Sequence, residues 1–292
     1  MKKGWKIFWI VCGVTAAVGL ICCIVSLMMG VTTEMIEERF PNGIGWIKED
    51  DHRDSDDNDG AGSDTESDIL ASDSVQRYSN IREIEGELFA GNIVVTVVDD
   101  TEITVETKGV SERLGFYSYE EDGTLYLETK KNLKQWSNMN VGTIIVSIPR
   151  DMIFEEVSLD IGAGKMELES ICANSFSVDA EAGEVNIQYF DARDAEISCG
   201  AGSVTAYGRI SEEMDMECGI GQISLTMDGC ENDYNYDISC GVGEIVCGDR
   251  HYSGIGHDDY VNNGAGKEMS LECGIGQIKI DFREIEESHH GL

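Results

Sequence analysis

The sequence predicts an all-β protein: a single-stranded β-solenoid (parallel β-helix) of about 19-residue rungs, with one N-terminal transmembrane helix. Three observations carry this. A G-x-G unit recurs with regular spacing, Gly is abundant (33) while Pro is nearly absent (2), and one long uncharged apolar run sits near the start. Loop-rich chains use both Gly and Pro, whereas repetitive β-structure with tight corners needs Gly alone. The net charge of -35 repels nucleic acid and anionic lipid, which excludes a nucleic-acid partner.

Residues 7–31 hold 25 positions without a charge, enough to cross a hydrocarbon core of about 30 Å. Lys2, Lys3 and Lys6 precede the run, and Glu34, Glu37 and Glu38 follow it, which orients the N-terminus to the cytoplasm. The run is longer than a signal-peptide core and no A-x-A site follows, so an uncleaved anchor is expected. The expected localisation is a single-pass membrane protein with its C-terminal domain outside the cytoplasm.

Residues 32–74 contain 14 acidic and 3 basic residues and form an acidic, self-repelling spacer. Within it Ser55, Asp57, Asp59, Gly60 and Glu66 fall at positions 1, 3, 5, 6 and 12 of a calcium-binding EF-hand loop. Position one is Ser, position eight is Gly62, and no helical periodicity flanks the segment, so a solvated stalk is preferred. The expected organisation is therefore cytoplasmic tip and anchor 1–31, spacer 32–74, solenoid 75–286 and tail 287–292.

The repeat units are LDIGAGKMEL at 159, VDAEAGEVNI at 178, ISCGAGSVTA at 197, MECGIGQISL at 216, ISCGVGEIVC at 238 and LECGIGQIKI at 271. Their second glycines, Gly164, Gly183, Gly202, Gly221, Gly243 and Gly276, are separated by 19, 19, 19, 22 and 33 residues. The first column is always apolar and the second always polar, the period of a strand with one buried face. Columns three, five, eight and ten are also expected inward, with a change of phase at the glycine. That step predicts a corner whose φ favours Gly. A third Gly and a following helix, which a dinucleotide loop would need, are both missing.

Upstream, 88–107 supplies two β-rich runs around Asp99-Asp100, and Asp122-Gly123 is placed as a type I′ hairpin turn, together forming opening rungs and a cap. At the other end the charged tail after Phe282 is expected to hinder end-to-end stacking on the last rung and keep the domain monomeric. The crossovers are expected to be right-handed.

Seven cysteines lie beyond the apolar run, and Cys199, Cys218, Cys240 and Cys273 occupy one inward column. Free thiols packed as small hydrophobes are the preferred state, with one or more cross-rung bridges as the alternative. No zinc-ligand spacing joins them to His251, His257, His289 or His290. Ser253 lacks the flanking glycines of a nucleophile elbow, and no H-E-x-x-H occurs. The outward residues Asp160, Asp179, Glu217 and Glu272 would be the carboxylates of a polysaccharide-acting β-helix, but they alternate with Ser as a solvated face does. No catalytic, cofactor or metal residue is assigned.

The segments IPRDMIFEEVSLDIGAGKMEL at 148–168 and NNGAGKEMSLECGIGQIKIDF at 262–282, with the G-x-G units between them, resemble the bacterial putative-adhesin, or toast-rack, family of unknown function. The resemblance covers about Ile81 to Phe282. It implies a β-solenoid often tethered by a single N-terminal helix and carries over no catalytic or binding residue. The cysteine-rich third column departs from it, as does the stretched last spacing, which suggests a loop around His251 to Asn263. The expected function is surface binding, with a protein or glycan partner at the cell envelope or host surface and the membrane engaged through residues 7–31. A regulatory envelope component working with a membrane partner is the alternative, and a polymer-forming scaffold is disfavoured by the charged tail.

Overall fold

In a computed structural model, the structure describes residues 73–129 and 142–283. The expected membrane helix, the acidic spacer with its EF-hand-like pattern, and the tail at 287–292 lie outside the described residues. Those described are all-β apart from short 3-10 turns at Glu112–Leu114 and Glu231–Asp233.

The repeat units become strands that stack in parallel and in register. β7 (Phe154–Leu168), β8 (Ile171–Ala180), β9 (Glu184–Cys199), β10 (Ser203–Cys218) and β11 (Gln222–Asp228) form the middle of the stack. Leu159 lies beside Val178, Val178 beside Ile197, and Ile197 beside Met216. Segments before the G-x-G corner form a first sheet and those after it a second. Columns one, three, eight and ten of every unit are buried, none more than 3 % exposed. Each fully buried Leu or Ile in such a ladder contributes about 1.5–3 kcal/mol, which no single rung could collect alone.

The rungs do not follow chain order at either end. β16 (Lys267–Cys273) lies between β10 and β12 (Tyr234–Cys240). β17 (Gln277–Arg283) lies between β11 and β13 (Glu244–Cys247). The last unit in sequence is therefore the penultimate rung, and the Gly243 unit is outermost. The stretch expected as a loop around His251 forms β14 (Arg250–Ser253) and β15 (His257–Val261), which pair antiparallel on β13 and β12. They occupy the open row of backbone N–H and C=O groups that a parallel stack must end in. β14 and β15 bring the charged residues Arg250, His257, Asp258 and Asp259 to this edge.

The N-terminal end repeats this device. β2 (Glu83–Val98) pairs in parallel with β7 on one side, and with β5 (Thr124–Glu128) and β6 (Thr143–Pro149) on the other. β4 (Tyr117–Glu121) covers β5, and β3 (Ile103–Lys108) with β1 (Ser74–Tyr78) covers β6, all antiparallel. Asp122 and Gly123 have φ of 52° and 90°, the two-residue type I′ turn expected.

The corner departs from expectation in two ways. Only Gly164 of the six corner glycines has positive φ, at 128°. What selects Gly at the others is proximity to the rung below. A Cβ on Gly202 would lie 2.1 Å from the Gly183 carbonyl oxygen, and one on Gly221 2.3 Å from that of Gly202. Gly276 and Gly243 meet the Gly221 and Gly276 oxygens at 2.3 and 2.4 Å, and Gly183 has the loosest contact, 3.2 Å from the Gly164 oxygen. Second, the fifth column points outward. The chain is turning there, and its backbone bonds rung to rung, as in Ala201 N–H to Glu181 C=O at 2.7 Å and Ile275 N–H to Gly219 C=O at 2.7 Å. The side chain is thereby directed away from the core, leaving Val242 63 % and Ile275 40 % exposed.

Candidate interaction surface

In-register stacking converts the polar positions of the first sheet into continuous outward columns. In spatial order one column is Glu128, Glu87, Asp160, Asp179, Ser198, Glu217, Glu272, Ser239. Two residues earlier runs Tyr126, Glu85, Ser158, Ser177, Glu196, Asp215, Ser270, Asp237. A third is Thr124, Glu83, Glu156, Ser175, Asp194, Glu213, Glu268, Asn235. No Lys or Arg occupies any position of the three. Among the described residues, basic side chains reach this sheet from its margins: Arg193 meets Asp194 at 2.9 Å, and Arg82 meets Glu155 at 3.5 Å.

The electrostatics follow from that arrangement. Partial burial, joined by Glu87, Glu128, Glu156 and Asp160, raises the carboxyl pKa of Glu85. Burial raises Asp179, with Glu181 and Glu196 adding to it, and raises Glu217 with help from Glu272, Asp179 and Glu196. Asp215 is raised by burial. Like charges about 4.8 Å apart on neighbouring rungs disfavour one another, and the flat sheet denies them full solvation. Shallow hollows of about 190 Å³, bounded by Glu87, Asp160, Asp179 and Glu181, and about 240 Å³, bounded by Glu213, Asp215, Asp237, Glu268 and Tyr260, lie in this face.

The second sheet is different. Its outward positions mix signs and amides: Lys165 meets Glu167 at 3.0 Å and Glu184 at 3.5 Å, Lys279 meets Asp281 at 2.6 Å, and Gln222 bonds Gln277 at 3.1 Å. Glu169 accepts from the Thr96 hydroxyl at 2.6 Å and the Val97 N–H at 3.0 Å, and those bonds hold its pKa below the usual value. Along the corner between the sheets, Ile220, Ile275 and Val242 make an apolar ridge, with Ile255 standing 91 % exposed on the β14–β15 turn. At the N-terminal cap a cleft of about 220 Å³ is lined by Gln76, Thr107, Ser111, Phe116, Tyr117 and Ser118. Tyr117, Tyr119 and Tyr126 stack beside it, and Tyr119 donates to Glu128 at 2.9 Å.

The residues singled out in the sequence fall as follows. Asp160, Asp179, Glu217 and Glu272 share one column, and Glu217 pairs with Glu272 because the last unit is intercalated. Cys199, Cys218, Cys273 and Cys240 form a buried ladder in that spatial order, and all seven described cysteines are free thiols. His251 and His257 are exposed, as is Ser253. The opening rung expected within 88–107 runs along β2, where Gly91 pairs with Gly164; Phe89 stands in place of the first glycine, so its correspondence to the G-x-G units was missed. The apolar ridge was missed as well, because column five was assigned inward.

A stack of parallel two-sheet rungs closed at both ends by antiparallel strands defines the class. The chain belongs to the Toastrack DUF4097 family, whose family model matches residues 81–290. No curated protein matches it. Among solved structures it is similar to a putative cell adhesion protein from Clostridium sporogenes, at 14% identity over 72% of this chain and 99% of that one, TM-score 0.35. A putative adhesin from Bacteroides fragilis is similar at 17% identity over 71% and 96%, TM-score 0.33. A putative lipid binding protein from Parabacteroides distasonis shows 15% identity over 70% and 96%, TM-score 0.21.

Proposed function

We propose that this protein is a membrane-anchored surface-binding module of the cell envelope, and that the outer face of the first sheet is its contact surface. The observation that carries the reading is the set of three outward columns, eight rungs long, without a Lys or Arg in them. Such a face offers carboxylates and hydroxyls at a fixed repeat, suited to an extended partner bearing amines or hydroxyls, protein or glycan. The uncharged run at 7–31 would supply the tether and the acidic spacer the reach. On this reading the domain works by contact, not by catalysis.

The test is co-sedimentation of residues 65–292, a compact unit of the chain, with isolated cell-wall material and, separately, with host matrix. Saturable binding to either, lost in the Glu217→Lys/Glu272→Lys variant, is the expected result. Absence of binding to both, or binding that the double variant retains in full, would count against the reading.

A further inference from the structure

The cysteine ladder has a geometry that neither surface binding nor simple packing requires. Cys199 pairs in register with Cys218, Cys218 with Cys273, and Cys273 with Cys240. The four are 1–3 % exposed. Three of the sulfurs lean along the stack toward the next rung: a Cβ built on Gly221, Gly276 or Gly243 would sit 2.6 Å from the Sγ of Cys199, Cys218 or Cys273 respectively. Of the glycines beside these sulfurs, Gly243 is buried and Gly221 and Gly276 are half-buried.

Magnitudes decide what such a ladder can hold. In-register parallel neighbours keep their Cβ atoms near the rung spacing of about 4.8 Å, wider than the roughly 3.8 Å a disulfide prefers. Two metal–thiolate bonds of about 2.3 Å, placed end to end, span about 4.6 Å. Among the described residues no three His, Cys, Asp or Glu side chains converge to hold a metal ion, so a three- or four-coordinate ion such as zinc is not served. A line of sulfurs offers two ligands to each gap, and soft thiolates select soft cations.

We propose that the ladder is a buried binding site for soft, two-coordinate monovalent cations of the Cu(I) and Ag(I) class, one between Cys199 and Cys218 and one between Cys273 and Cys240. Each ion displaces one thiol proton to solvent, so the occupied pair remains neutral in the core. Thiol hydrogen bonds already join Cys199 to Cys218 and Cys273 to Cys240, so the two sulfurs of each proposed pair are neighbours. No oxidation or reduction of protein or ion is involved.

The test uses the full chain in detergent, reduced and anaerobic, with Ag(I) as a redox-inert probe and excess methionine to strip loosely held silver. A variant with the other six cysteines (Cys12, Cys22, Cys23, Cys172, Cys230, Cys247) changed to Ala should retain two silver ions, each with two sulfurs in line by X-ray absorption. Adding Cys218→Ala should leave one ion. Adding Cys240→Ala as well should leave none, because Cys199 and Cys273 are not neighbours. Ala180 already occupies this column one rung earlier, so alanine fits. In the otherwise wild-type chain the same double substitution should lower silver content by two, which keeps the test open if the six-fold variant does not fold. Silver content unchanged by the double substitution, three-sulfur coordination, or no retained silver in the wild-type chain would overturn the proposal.

Discussion

The two sheets are built from the same rungs, share one core and meet at one line of glycines, yet they treat charge in opposite ways. The second sheet pairs its carboxylates, as at Lys165 with Glu167 and Lys279 with Asp281, and stabilises Glu169 with two donors. The first sheet stacks carboxylates on carboxylates, from Glu87 through Asp160 to Asp179, and again at Glu217 and Glu272. Folding alone would favour the first arrangement, since like charges directly opposite on neighbouring strands destabilise a sheet. An acidic face eight rungs long, interrupted only by Ser, Thr, Tyr and Asn and never by a cation, is a cost that stability does not explain and that the proposed contact surface would.

The comparison depends on the corner that joins the sheets, and the largest expected effect lies there. Gly202→Val would force its Cβ to within 2.1 Å of the Gly183 oxygen, and should cost about 3 kcal/mol or more in urea unfolding. Both sheets should be lost in one transition. Ala201→Ser, one residue away on the exposed column, should stay within about 0.5 kcal/mol of wild type.

Acid separates the sheets next. Glu85, Asp179, Asp215 and Glu217 have folded pKa values above their ordinary 3.8 or 4.5, so the native state binds more protons than the unfolded chain. Their cost is present in full above the folded pKa and is relieved as pH falls through it. Glu169 has a depressed pKa, and its stabilisation is lost as pH falls through that lower value. Thermal melts should therefore show Tm rising as pH is lowered from 7 toward 5, then falling at more acid pH. Glu169→Gln should blunt the acid fall and leave the earlier rise in place. A Tm that falls steadily from pH 7 would contradict the strained-face account.

A smaller effect compares single charges. Glu217→Lys, placed beside Glu272, should stabilise by about 0.5 kcal/mol, whereas Gln222→Lys on the second sheet should be near neutral. Smaller still, added salt should raise wild-type stability and narrow the gap to Glu217→Lys by screening. Equal responses of the two sheets would remove the distinction between them.

Much of this fold was legible because a period of two and a period of 19 are both local properties of sequence. Columns one, three, eight and ten were read inward and are buried. The Asp122-Gly123 turn was legible because αL conformation at two successive residues has a short residue signature. Rung order was not legible, because intercalating 267–283 between 203–228 and 234–247 changes no column identity. Only backbone pairing distinguishes the two orders. Column five was misassigned because Ile220, Val242 and Ile275 are apolar in a strand pattern, and the turn of the chain outweighed that pattern. The corner glycines were identified correctly but for the wrong reason at five of six, since crowding by the neighbouring carbonyl leaves the same sequence trace as a positive φ. The outward carboxylates were visible one unit at a time, and became a surface only when the pairing placed them side by side.

The central claim, that the first sheet is the contact face, is tested most directly by carboxyl footprinting. Residues 65–292 would be labelled with a carbodiimide and an amine, free and bound to the wall or matrix material that retains them, and the sites read by peptide mass. The account predicts protection of Asp160, Asp179, Glu217 and Glu272, with Glu167, Glu184 and Asp281 labelled as in the free protein. Protection confined to the second sheet, or equal on both, would contradict it.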